Sequence, residues 1–140
     1  EAKKNQEDQD KESSVILNDP FIQTKWGLER TKAQKAWEIT QGSKDIVIAI
    51  IDTGIDVNHK DLVDNLWNNP GESGKDAQGR DKCSNGLDDD GNGYVDDCHG
   101  WNFVHNDAKL TDNHGHGTHI AGIIGARSGN GFGISGVART

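Results

Sequence analysis

The run Ile46-Val-Ile-Ala-Ile-Ile51 limits what this chain can fold into more than any other stretch. Five of its six residues are β-branched and none is polar, the pattern of a strand buried on both faces in a parallel sheet covered by helices. Asp52-Thr-Gly54 ends it abruptly. An acidic residue just past the C-terminal end of such a strand stands where open α/β sheets place their active sites. The run is strand length, far short of the roughly 18 apolar residues that cross a membrane, so no membrane span is expected.

Residues 1–14 (EAKKNQEDQDKESS) contain one apolar side chain, Ala2, and cannot offset their ordering entropy by burial. They are expected to be a disordered leader or the remnant of a propeptide. The chain starts at Glu1 and has no methionine, so it is expected to be a processed or excised piece. Residues 15–140 are of a length for one folded unit. Within them, Ala33, Ala36 and Trp37 share one face of a short helix, with Gly42 as a plausible stop. Residues 60–67 suggest another short helix, residues 101–104 a second strand, and residues 116–126 (HGTHIAGIIGA) a helix whose small residues permit close packing.

Residues 67–100 form a long loop dominated by Gly, Asn and Asp, and loops of that length in a compact domain are usually functional or disordered. Between Asp81 and Asp97, six Asp face one Lys, and the whole chain carries −8. That balance excludes nucleic acid, which needs clustered Lys and Arg. Asp88, Asp90, Asn92 and Asp96 alternate around Gly93 like the first half of an EF-hand loop, which points to Ca²⁺, although His99 stands where the closing Glu would be. The bland reading is a solvated Asp/Gly loop. Cys83 and Cys98 bracket this stretch, either as a disulfide formed in an oxidising compartment or as two free thiols.

Two segments, Ile48-Ala-Ile-Ile-Asp-Thr-Gly-Ile-Asp56 and His116-Gly-Thr-His-Ile-Ala-Gly122, together resemble the aspartate and histidine blocks of the subtilisin-like serine proteases, or subtilases. Asn18-Asp-Pro20, Trp26-Gly27, Ala36-Trp37 and His59-Lys-Asp-Leu62 also fit, in the thermitase-like branch. The resemblance implies a truncated α/β, parallel-sheet, three-layer fold, and a serine endopeptidase acting on polypeptides outside the cell as a monomer. It assigns Asp52 and His116 to an Asp-His-Ser triad whose serine lies in a downstream Gly-Thr-Ser-type motif. The 140 residues alone would then be inactive.

The same resemblance implies a second Ca²⁺ site built from Asp19, Asp61, the Asn130 side chain and the carbonyls of Arg127, Phe132 and Ile134. A further site used by some thermitase-like members is not expected, since His105 and Lys109 occupy its ligand positions. Two rivals remain. One is a zinc hydrolase using His114, His116 and His119, with Thr118 where that pattern wants Asp. The other is a non-catalytic calcium-binding interaction module or a protease remnant.

Overall fold

A computed structural model describes residues 18–24 and 26–139. The expected leader, residues 1–14, and the start of the folded unit lie outside the described residues. Ala33 and Trp37, one turn apart, face the same way on α2 (Ala33–Trp37) and are buried against Leu28 of α1 (Trp26–Arg30) and Ile22. The Trp37 indole Nε1–H donates to the carbonyl of Val137 at 2.8 Å, and the Arg139 guanidinium stacks 4.7 Å over its ring. Those contacts tie the C-terminal part of the chain to this first core. The helix ends well before Gly42.

The longest helix, α3 (His116–Gly125), buries Ala121 and Gly122. Ala121 joins Leu62 and Ala126 in a second core, flanked by Ile50, Ile55 and Ile134. The remaining regular structure among the described residues is three single 3₁₀ turns, Ile22–Thr24, Val63–Asn65 and Lys82–Ser84, and two isolated antiparallel bridges, Lys75 to Asp81 and Asn102 to Asp107. The helix expected at residues 60–67 is reduced to the middle of these turns.

The expected parallel-sheet, three-layer α/β fold is not what the described residues form. They contain helices and loops but no sheet. A β-branched run records only local preference; a strand exists through ladder hydrogen bonds to a neighbour. Among the described residues none pairs with residues 46–51, where the one backbone bond runs from Ile46 N–H to Ser43 at 3.1 Å. Expected to be buried on both faces, the run is open instead, with Val47 57% and Ile51 96% exposed while Ile50 alone reaches the second core. Residues 101–104 likewise turn at the surface, leaving Phe103 and Val104 exposed.

Candidate active site

Asp52, which follows the apolar run, and His116, the first residue of α3, meet although 64 positions separate them. The His116 Nδ1 lies 2.8 Å from both carboxylate oxygens of Asp52. A carboxylate only accepts, so Nδ1 carries a proton, and in the neutral ring the lone pair is then on Nε2. The His116 side chain is 55% exposed and that of Asp52 17%. The bond from His116, followed by one from the Thr53 N–H at 2.7 Å, holds the Asp52 carboxyl below the usual carboxylate range.

The turn after Asp52 is clamped to α3 by polar contacts. The Thr53 hydroxyl donates to Asp112 at 2.8 Å and accepts from the Gly117 N–H at 3.1 Å. Asp112 also receives the Thr118 hydroxyl at 2.6 Å and amide at 2.9 Å, and the Gly115 N–H at 2.7 Å. Donation from Thr118, then from Gly115 and Thr53, holds the Asp112 carboxyl well below its ordinary range. Because it meets the amides of the first turn of α3, this carboxylate does the work of an N-cap from outside the helix.

The three histidines do not converge. The rings of His114 and His116 stand edge to face at 6.3 Å, and His119 is exposed. Among the described residues, the one cluster of three His, Cys, Asp or Glu side chains with ligand atoms close enough to share an ion is Glu72, Asp88 and Asp90, whose oxygens lie within 4.8 Å of one another. Glu72 is 0% exposed. Its Oε1 accepts from the Asp89 N–H at 2.7 Å and the Asp90 N–H at 3.3 Å, while its buried Oε2 has no partner. Burial pushes the Glu72 carboxyl up. Asp88 is held low, first by the Gly93 N–H and then by those of Gly91 and Asn92.

Of the other expected loop ligands, Asn92 stays beside Asp90, its amide donating at 3.3 Å, with its own carbonyl accepting from the Tyr94 N–H. Asp96 stands outside the triplet and accepts from the Gly86 N–H at 3.0 Å. Cys83 and Cys98 form a disulfide, and both sulfurs pack on the Glu72 carbonyl oxygen, at 3.2 and 3.0 Å.

Asp19 and Asp61, each 2% exposed, converge on the Gly129 to Ile134 loop. Asp19 accepts from the N–H groups of Gly129 and Asn130, and Asp61 from the Asn130 amide at 2.8 Å and the Ile134 N–H at 2.9 Å. Gly133 is needed there, since a Cβ would stand 2.2 Å from Asp61 Oδ2. The carbonyls of Arg127, Phe132 and Ile134 accept no hydrogen bond among the described residues, whereas that of Gly133 accepts from the Phe21 N–H.

The sequence model of the subtilase family, peptidase S8, matches residues 43–140, which include both Asp52 and His116. The chain belongs to the subtilase family. It is 41% identical over 123 residues to subtilisin-like protease 1 of Plasmodium vivax, covering 86% of this chain and 18% of that protein. The corresponding protein of Plasmodium berghei is 38% identical over 125 residues, 87% of this chain and 19% of that one. Thermitase of Thermoactinomyces vulgaris is 33% identical over 122 residues, 86% of this chain and 32% of the enzyme. This subtilase chain therefore spans about a fifth to a third of the length of these relatives.

Glu72 and Asp112 are the residues of this subtilase chain that motif reading passed over. A signal for Glu72 was available: it is the only glutamate in residues 67–100, and the Asp88 pattern lacks its closing Glu. For Asp112, four positions before His116, nothing but its place before a helix start marked it.

Proposed function

We propose that the full-length protein is a serine endopeptidase that acts outside the cell on polypeptides, with Asp52 and His116 as two members of its triad. The observation that carries this reading is the 2.8 Å contact of His116 Nδ1 with the Asp52 carboxylate. Asp52 fixes the tautomer and stabilises the imidazolium; Nε2 takes the proton of a serine hydroxyl as its oxygen attacks the scissile carbonyl. That proton then passes to the leaving amine, and water, deprotonated by the same nitrogen, releases the acyl group. The serine is assigned to a position outside residues 1–140. Ser128 and Ser135 have their hydroxyls against each other, and among the described residues no hydroxyl bonds His116.

Calcium is the cation we assign to the Glu72, Asp88 and Asp90 group, because an all-oxygen donor set suits a hard ion and Glu72 Oε2 is buried without a partner. Asn92 adjoins this group. The same ion suits Asp19, Asp61 and Asn130, with the carbonyls of Arg127, Phe132 and Ile134. In both places its role is to neutralise neighbouring carboxylates and hold a loop, with no part in bond cleavage.

The test is hydrolysis of an unstructured peptide by the full-length protein. Wild type should cleave it, Asp52→Ala should lower kcat by about 10⁴-fold and His116→Ala by about 10⁶-fold. Full activity in either variant overturns the assignment.

A further inference from the structure

We propose that Asp112 is the positioning residue of the Asp52 and His116 pair, acting through the hydroxyls of Thr53 and Thr118. The proposal rests on the catalytic reading of that pair.

One carboxylate collects five donors. Its Oδ1 accepts from the Thr53 hydroxyl at 2.8 Å, the Gly115 N–H at 2.7 Å and the His114 N–H at 3.1 Å. Its Oδ2 accepts from the Thr118 hydroxyl at 2.6 Å and the Thr118 N–H at 2.9 Å. A hydroxyl has a single proton, so each of these two, by donating to Asp112, is obliged to turn a lone pair the other way. Thr53 uses it to accept from the Gly117 N–H at 3.1 Å, and Thr118 to accept from the Asp56 N–H at 3.0 Å. The two links cross in opposite directions. Thr53 ties the Asp52 side to α3 one residue past His116, and Thr118, on α3, ties back to the segment after Gly54.

Asp112 has no hydrogen bond to Asp52 or His116 themselves. Its effect is on where they stand: the Thr53 N–H bonds Asp52 Oδ1 at 2.7 Å, and the helix start that carries His116 is capped by the same carboxylate. An amide in its place fails on the α3 side. Asparagine offers one oxygen, and whichever way its amide turns the NH₂ faces a backbone N–H, that of Thr118 or those of His114 and Gly115, donor against donor.

The experiment compares wild type, Asp112→Asn and Thr53→Val in the full-length protein, reading peptide hydrolysis and the low-field ¹H resonance of the His116 Nδ1 proton. Thr53→Val keeps the Asp112 cap on α3 and removes only the cross-link. Both variants should lower kcat about 10- to 100-fold with KM within about twofold, the signature of a misplaced base. In both, the Nδ1 proton signal should broaden or move upfield. Wild-type kcat with an unchanged Nδ1 signal in Thr53→Val overturns the proposal, even if Asp112→Asn fails to fold. So does a loss of activity matched by lower thermal stability with the Nδ1 signal intact, which marks a merely structural role. A wild-type protein that does not cleave peptides refutes the catalytic reading, yet the resonance still reports whether Asp112 orders the pair.

Discussion

The carbonyl oxygen of Gly54 occupies the space that a side chain on Gly117 would need. An ideal Cβ at Gly117 stands 2.1 Å from that oxygen and 3.2 Å from the Asp52 Cβ. Gly54 is itself hemmed in, with φ at 130° and the carbonyls of Leu110 and Thr111 at 2.7 and 2.8 Å from where its Cβ would be. Gly117 thus lets the start of α3 lie directly on the turn that carries Asp52, and Gly54 lets residues 110–112 approach the same turn.

Gly117→Ala should therefore separate the two. Overpacking of this kind costs about 1–3 kcal/mol, which urea unfolding of the full-length variant would register. The His116 Nδ1 proton signal should weaken at the same time. A variant as stable as wild type with that signal unchanged would show that the contact is looser than described.

Asp52 sets a pH dependence. Its carboxyl is held below its ordinary value in the folded state, chiefly by His116. A depressed carboxyl contributes stability that is fully present above the unfolded value, about 4, and is lost as pH falls through the lower folded value. The stability difference between wild type and Asp52→Asn should shrink as pH falls below about 4. Urea midpoints collected between about pH 5 and 2 test it; a difference that grows between about pH 4 and 2 contradicts the assignment.

Glu72→Gln should separate the cost of the buried carboxylate from its use. With calcium chelated, the variant should be at least as stable as wild type, since burial disfavours the charged form. With calcium present the order should reverse: binding should weaken about tenfold or more, because the ion loses a charged ligand, and calcium should raise the variant's thermal midpoint less. Calorimetric titration and thermal melts in chelator and in calcium report both arms.

The disulfide should support the same loop. Cys83 and Cys98 lie 15 positions apart, and closing a loop of that size is worth about 3 kcal/mol in the chain-entropy account. The paired change Cys83→Ser with Cys98→Ser should lower stability by about 2–4 kcal/mol. It should also weaken calcium binding, since both sulfurs pack on the Glu72 backbone. Unchanged affinity would mean that Glu72 is fixed without the bridge.

The two blocks around Asp52 and His116 were legible because each is local: a turn after an apolar run and a helix start rich in small residues. Their meeting across 64 positions followed from the family resemblance. The sheet was misread because β-branched residues state a preference that only a partner strand can realise, and residues 46–51 have none among the described residues. Glu72 was missed for a related reason. It precedes the Asp88 pattern by 16 positions and reaches it only because Gly71, where a Cβ would stand 2.3 Å from that of Asp90, lets the chain pass so close.

The backbone N–H of Asn69 meets the carbonyl of Cys98 at 2.7 Å, so the acidic loop leaves and rejoins the body of the protein at one narrow neck. Both stems emerge side by side, and neither half of the Asp52 and His116 pair belongs to the segment between them. Residues 70–97 are in that sense a cassette, joined at its stems and held down as well where the Tyr94 ring rests on Trp101 at 4.9 Å and Phe103 at 6.2 Å. Loops of other sizes and cargoes could be seated on the same stems, provided that they cover those two aromatics.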